Sequence, residues 1–441
     1  MVFTGLKQRT IIMNRYISPV ISSVDIPAKL NPGFYTLDNG VSVYEMAGGN
    51  TEIIKIDINI PAGSYYQNKP FCAASVNRML TEGTTGFSSV EISEKTDYYG
   101  AFLQGGSDKD NAVMTLLVPR RHIEALMPLL AAVILSPVFP EHELGVFLQK
   151  QKQHFRIEQT KVRVLANAAY ENTMFGSSHP YGIKPEEKDF GNINRELLTA
   201  FHRKHYFRDK WKIMVSGMIK PSDRSLINSY FGQIQFNNVD IKAITLPDIS
   251  AAKVFVHRED AVQSAIRMGI RVPNRTHPDY PLLSLLNTLL GGYFGSRLMQ
   301  NLREEKGYTY GIYSFLVNQA RATSLNIATE VGADVTGPAI KEIYKEIRLL
   351  LEEPVSTEEL NRVKSQIMGD LMRAMDGPFA RADLLFSLLE SGFGPDYIAD
   401  YVQKIKDSTP ESILEIAGKY LRISDMVEVV SGPDKNFRQR L

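Results

Sequence analysis

Residues 71–84 read FCAASVNRMLTEGT, an apolar run at helical spacing over 73–80 that closes on a Gly-Thr turn. Before it, GFYTLDNGVSVYEMAGGNTEIIKIDINIPAGS alternates apolar and polar residues on both sides of Asp38-Asn39-Gly40, a strong hairpin signal. The alternation continues over 53–60, so a meander is predicted to open an α+β domain. After it, the pattern predicts a second helix over 89–99, strands FLQGGSD and AVMTLLVP, and a helix over 121–135. A long helical tract, with room for an interruption, starts at Pro140. FGSSHPYG reads as a loop because Gly, Ser and Pro cluster there. The helix NRELLTAFHRKHY, the strand WKIMVSGMI and the helix SDRSLINSYFG finish this unit.

QFNNVDIKAITLPDIS then loses periodicity, and Pro247 marks it as a linker. Beyond it the plan repeats: strands VFVHRED and SAIRMGIRV, the helix YPLLSLLNTLLGG, strands TYGIYSFLV and SLNIATEV, and the helix GPAIKEIYKEIRLLLEE. LSPVFPEHEL in the first half answers LEEPVSTEEL in the second, which sets RMLTEGT opposite NTLLGGYF. An internal duplication follows. The expected architecture is α+β, with two duplicated domains that each pack an antiparallel-rich sheet with helices. Residues 1–236 form the first domain, 237–250 the linker and 251–441 the second.

Size agrees, since 441 residues exceed what one core holds, about 250–300. A net charge of +1 gives no general attraction to nucleic acid or anionic membrane. The single cysteine, Cys72, excludes an intrachain disulfide and a Cys-rich zinc site. MVFTGLKQRTIIMNRYISPV breaks its apolar patches with Lys, Gln and Arg, unlike a signal peptide, and no uncharged run is long enough to span a bilayer. A non-exported, cytoplasmic protein without membrane or nucleic-acid partners is expected.

The order of these phrases resembles the pitrilysin/insulinase family of metallopeptidases, the inverted zincins, whose H-x-x-E-H lies on the first helix after the opening strands. The resemblance spans essentially the whole chain. LDNGVSVY is similar to the family's opening hairpin, PAGS to its next strand and MLTEGT to the end of its zinc helix. GGSDKDNAVMTLLVP matches the following hairpin, HPYG its loop, and FHRKHYFRDKWKIMVSGMI the strand that closes the first domain.

Anchored on Met79 and Gly83-Thr84, the resemblance sets the two metal histidines on Ala74 and Arg78 and the general-base glutamate on Asn77. Ala has no donor atom, Asn is too weak a base to activate water, and a permanently cationic guanidinium repels a metal. The zinc site is therefore expected to be absent, with no metal in this chain. The family's third ligand, a glutamate, falls near Gln153, His154 or Phe155, with Glu158 the nearest carboxylate. His202 and His205 have an i, i+3 spacing without a nearby acid, and His179 sits in the HPYG loop. All three, like His154, read as structural histidines.

In the second domain LLGGYFGSRLMQNLREEKGYTYG lacks the spacing of a phosphate loop. The resemblance implies instead an R-x-x-x-x-x-x-Y pair that reaches substrate across a chamber, and Arg303 and Tyr310 match it. Alternatively, Arg303 pairs with Glu304 or Glu305 and Tyr310 fills the core. Gly291, Gly292 and Gly295 suit either a tight turn or a substrate-contacting loop.

In this family some two-chain members divide zinc and the Arg/Tyr pair between chains. The resemblance thus implies a non-catalytic, substrate-binding subunit, inactive alone, whose homologous partner holds zinc and cleaves peptides or unfolded polypeptides. In isolation it would be a homodimer or a monomer. The other readings are a structural or peptide-binding protein with no part in hydrolysis, and a self-sufficient peptidase with an unrecognised metal site.

Overall fold

In the computed structural model, residues 30–239, 241, 244–248 and 251–434 are described. The N-terminal stretch 1–29 and linker residues 240, 242, 243, 249 and 250 lie outside them. Helix α1 (Cys72–Met79) occupies the quoted segment, burying Cys72, Ala73, Val76 and Met79 while Ala74 and Arg78, one turn apart, stay exposed. Leu80–Glu82 tighten into a 3-10 turn that stops at Gly83, whose φ of 145° favours a residue without a β-carbon.

The first sheet holds β1 (Gly33–Thr36), β2 (Ser42–Ala47), β3 (Ile53–Ile60), β4 (Phe102–Ser107), β5 (Ala112–Pro119) and β6 (Lys212–Gly217), in the order β1-β2-β6-β3-β5-β4. The hairpin at Asp38-Asn39-Gly40 forms, with Gly40 at φ 83°. The predicted meander does not. β6 lies between β2 and β3, parallel to the first and antiparallel to the second. Its residues KIMVSG are almost wholly buried and demand two neighbours, a pairing across the chain that local alternation cannot reveal.

The second sheet comprises β7 (Lys253–His257), β8 (Gln263–Val272), β9 (Ile312–Asn318), β10 (Thr323–Gly332) and β11 (Val427–Gly432), ordered β7-β11-β8-β10-β9. β11 runs parallel to β7 and antiparallel to β8. Omitting β1, the two sheets have one topology, in which the last strand of each half inserts beside its first. The duplication is real at the level of connectivity, and α8 (Tyr280–Asn287) stands where α1 does.

Helices α2 (Ser89–Tyr98), α3 (Ile123–Leu135), α4 (Glu141–Glu158), α5 (Val162–Phe175), α6 (Arg195–His205) and α7 (Pro221–Phe231) complete the first half. The long tract from Pro140 is thus interrupted at 159–161. The second half adds α9 (Thr336–Glu352), α10 (Thr357–Ala374), α11 (Gly377–Glu390), α12 (Tyr397–Asp407) and α13 (Pro410–Tyr420). Each sheet has its own apolar core, one centred on Ile54, Ile56, Ile58 and Leu130 and the other on Ile266, Met268, Leu325 and Ile343. Among the described residues no helix is long and apolar enough to cross a membrane.

The opposite face of each sheet is covered by a helix from the other half. Tyr170 and Met174 of α5 pack with Ala265, Val427 and Val429 of the second sheet. Tyr170 Oη donates to Asn326 Oδ1 at 2.5 Å, and Arg267 Nε donates to Asn167 Oδ1 at 2.5 Å. Reciprocally, Ala382, Leu385 and Leu389 of α11 pack on Met46 and Met214 of the first sheet. Lys55 pairs with Asp383 at 2.8 Å, and Asn59 Nδ2 donates to Glu390 Oε1 at 2.6 Å.

The β4–β5 and β9–β10 turns, counterparts in the two halves, also meet. Arg321 Nη1 lies 2.9 Å from Asp110 Oδ1 and its guanidinium stacks 3.6 Å from the Tyr65 ring centroid. Tyr181 Oη and the Ala320 amide donate to the same carboxylate.

Gly269 shows how tight this exchange is: a β-carbon there would sit 2.1 Å from Tyr170 Oη and 2.4 Å from the Leu325 carbonyl oxygen. Gly269→Ala is expected to cost about 3 kcal/mol, the upper range for forced overpacking. Urea unfolding measures it. Tyr170→Phe should restore only part of the loss, because the Leu325 carbonyl remains in the way.

Candidate functional site

α1 divides its three motif positions between solvent and core. Ala74 and Arg78 face outward, whereas Asn77 is 5% exposed. Its Nδ2 lies 3.3 Å from Tyr206 Oη and 3.5 Å from the Val113 carbonyl oxygen, tying α1 to α6 and β5. A β-carbon on Gly105 of β4 would come within 2.7 Å of Asn77 Oδ1. The Asn77 amide is thus a packed structural link between helix and sheet. Among the described residues no group of three or more His, Cys, Asp or Glu side chains is placed to hold a metal.

Of the three residues near the third-ligand register, the structure brings Phe155 to α1. Its ring meets Phe71 edge-on at 5.6 Å, Phe71 stacks on Phe190 at 4.1 Å and 12°, and Phe155 closes the trio on Phe190 at 5.7 Å. Gln153 and His154 are exposed, and His154 Nε2 is 3.8 Å from Glu158 Oε1. Phe71 caps α1 at φ 68°, left-handed for a residue with a full side chain. Such a conformation costs on the order of 1 kcal/mol and persists only when its surroundings hold it. The stacked rings supply that hold. The local sequence shows Phe71 next to Pro70 and gives no sign of the φ.

His202 and His205 serve separate contacts. His202 Nε2 meets the Ile134 carbonyl oxygen at 2.8 Å, while the His205 ring packs 4.6 Å from Phe201 and 5.7 Å from Tyr66. Burial pushes each pKa down to about 4. His179 is fully buried among Tyr65, Phe175 and Tyr181; its Nδ1 accepts from the Tyr181 amide, and burial with nearby Arg321 lowers its pKa.

In the second half Arg303 lies on a wide helical turn, Met299–Glu305. Its guanidinium sits 4.8 Å over the Phe294 ring, with Nε 3.4 Å from Glu304 Oε1. The Glu304 pairing matches the structural alternative; the Tyr310 half of that alternative fails, since Tyr310 is 93% exposed. Thr309 pins the backbone beside it by donating to the Glu330 carbonyl oxygen at 2.8 Å, leaving the tyrosine ring outside. Phe294 is also exposed. Among the described residues no hydrogen bond joins Arg303 to Tyr310. Gly291 has a packing reason: a β-carbon would sit 2.6 Å from the Ser314 amide nitrogen. At Gly292 the nearest atoms, on Asn287, are 3.3 Å away, and a β-carbon on Gly295 would meet the Tyr293 ring at 2.8 Å.

Residues 47–180 match the sequence profile of the family described as insulinase (peptidase family M16), and 192–367 match the one described as peptidase M16 inactive domain. The chain belongs to the M16 peptidase family. It is an inactive member, and the resemblance read from its sequence sets Ala74, Asn77 and Arg78 at the zinc-motif positions. Among M16 relatives, an uncharacterised zinc protease of Bacillus subtilis, YmxG, is 24% identical over 78% of this chain and 84% of its own. YmfF of the same organism, a probable inactive metalloprotease, is 22% identical over 67% and 71%. The crystal structure of a peptidase M16 inactive domain from Pseudomonas fluorescens shares the fold, with a TM-score of 0.85 over 92% of this chain and 99% of that one at 24% identity.

Two outcomes are expected. Ala74→His/Asn77→Glu/Arg78→His should retain only substoichiometric zinc through gel filtration, because two histidines fall short of a three-ligand catalytic site. Adding Phe155→Glu should raise the content measured by metal analysis. The second concerns pH. Unfolding returns His202 and His205 to about 6.5, so the unfolded chain binds more protons between pH 4 and 6.5. Stability is therefore full above about pH 6.5 and lost as pH falls towards 4, on the order of 1–2 kcal/mol per histidine at pH 5. Urea midpoints at pH 7 and 5 should differ less in His205→Gln than in the native chain.

Proposed function

We propose that this chain is the non-catalytic, substrate-binding subunit of a two-chain zinc peptidase acting on peptides or unfolded polypeptides. A homologous H-x-x-E-H chain holds the metal. Two surfaces support the reading: the exposed face of α1 presents Ala74 and Arg78, neither of which can ligate a metal, while Tyr310 stands 93% exposed and Arg303 is half-open on the Met299–Glu305 turn. Among the described residues Tyr310 has no hydrogen-bond partner, and exposed Tyr and Arg are the residue types that anchor interfaces.

In the assembled enzyme Arg303 offers its planar fork to a peptide carbonyl or the developing oxyanion, and Tyr310 its hydroxyl to the same region. The partner supplies the activated water. Gly292 lies at the start of the loop that carries Phe294 towards this surface. The proposal places the assembly in the cytoplasm, where the lone buried thiol of Cys72 stays reduced. The exposed rings of Phe294, Tyr310 and Tyr313 favour a second reading, peptide binding without hydrolysis.

Co-purification with a zinc-bearing homologue encoded beside it distinguishes the two. Peptide cleavage is expected only in the mixture, with kcat/KM reduced about 10²–10³-fold by Arg303→Ala or Tyr310→Phe. Unchanged cleavage in both variants, with the complex intact by gel filtration, removes their proposed role. Cleavage and zinc in the isolated chain overturn the subunit assignment.

A further inference from the structure

On the second sheet α5 lies over β7, β11 and β8, and a trough of about 160 Å³ separates it from the side chains of β9. Ser324 and Asn326 of β10 form its floor, Phe315 and Val317 of β9 one wall, and Tyr170 and Phe175 of α5 the other. The floor is satisfied within itself: Tyr170 Oη donates to Asn326 Oδ1, and Asn326 Nδ2 donates to Ser324 Oγ at 3.0 Å. Along β9 the rings of Phe315 and Tyr313, on one face of the strand, remain 41% and 52% exposed.

Arg267 of β8 lines the same trough and is only 8% exposed. Its Nε donates to Asn167 Oδ1, and its Nη1 to the Ile266 and Thr329 carbonyl oxygens at 2.9 and 3.1 Å. All three acceptors are neutral. Nη2 meets none among the described residues and keeps accessible surface. The nearby carboxylates are directed elsewhere, Glu330 to Arg163 at 4.0 Å and Glu171 to Lys109 at 2.8 Å. Burial lowers the Arg267 pKa, yet a guanidinium stays charged. A cation sunk this far and held by neutral oxygens alone lacks the counter-charge that burial ordinarily demands.

We propose that this trough receives the carboxyl terminus of a peptide, the terminal carboxylate on Arg267 and the last side chain between Phe175, Phe315 and Val317. Hydrogen bonds from a guanidinium to a carboxylate are about twice as strong as neutral ones, and capture of a free carboxylate is a recurring mode of peptide recognition. The volume is about half the lower bound of sites that enclose a whole small molecule, about 300 Å³, so it fits the end of a longer ligand. The residues before that end lie across the exposed rings of Phe315 and Tyr313, which supply apolar area. β9 begins two residues after Tyr310, so the peptide leads from Arg267 towards the surface proposed above. The proposal rests on the peptide-binding part of that reading and needs neither the partner chain nor Arg303.

An acetylated pentapeptide ending in leucine is titrated into the full-length chain by calorimetry, once as the free acid and once as the carboxamide. One acid per chain is expected, bound about tenfold or more tighter than the amide, the ratio expected for hydrogen bonds to a charged group. Asn167→Asp sets a carboxylate on the Arg267 guanidinium at unchanged side-chain size and keeps the Nε bond, so the chain should fold and the preference for the acid should vanish. Phe315→Ala should weaken acid and amide alike. Equal affinity for acid and amide, no binding at millimolar peptide, native preference in Asn167→Asp, or native affinity in Phe315→Ala overturns the proposal. Cleavage by the mixture with a zinc-bearing chain is a separate readout, so failure here is told apart from failure of the subunit reading.

Discussion

Each half of this chain builds a sheet that it cannot cover alone, and the rest of the structure depends on how that shortage is met. α5 leaves the first half to lie on the second sheet, and α11 returns to lie on the first. Polar bonds at both contacts, Tyr170 to Asn326 and Lys55 to Asp383, fix the crossing in register. Apolar burial gives the cohesion, at about 25 cal/mol per Å², while the hydrogen bonds select one arrangement among many apolar ones. The Asp110–Arg321 pair does the same between the turns. Tyr181, the Ala320 amide and the Tyr65 ring all converge on it, so the Asp110 carboxylate is satisfied largely by protein groups.

α1 and the Met299–Glu305 turn pack within their own halves, the first on α6 and β4 and the second on β9 and α9. α1 runs to Gly83 through its 3-10 turn. Asn77 has become a link to Tyr206, and an aromatic trio joins the start of α1 to α4. In the second half the balance is opposite, with Tyr310 93% exposed.

Much of this was legible in the sequence, for identifiable reasons. Alternation around Asp38-Asn39-Gly40 and the 3.6-residue period of 73–80 are local signals, and local contacts realise them. The repeat of phrase order gave the duplicated fold, and the apolar spacing before Gly83 located the helix that carries Ala74, Asn77 and Arg78. What stayed hidden depends on partners distant in the chain. The insertion of β6 between β2 and β3, the left-handed Phe71 and the crossing of α5 and α11 leave no mark on the periodicity of their own segments. Gly269 is a further case: within SAIRMGIRV it reads as a weak point in a strand, whereas the Tyr170 hydroxyl lying on it makes any larger residue clash. Tyr310 was open to two readings because a tyrosine flanked by Thr and Gly fits an inward strand position as well as an outward one.

The crossing of α5 and α11 bears on how this molecule can move. Chain connectivity between the halves runs through 237–250, yet their mechanical union lies elsewhere, in two clasped helices and one shared carboxylate. A protease nick in that stretch would leave two fragments still holding one another, in the manner of complementing pieces. By the same logic a hinge there would have to strip a helix from each sheet before any angle opened. Opening between the halves would therefore sacrifice the burial of α5 and α11 and the Asp110–Arg321 pair together, which makes the two halves one cohesive unit.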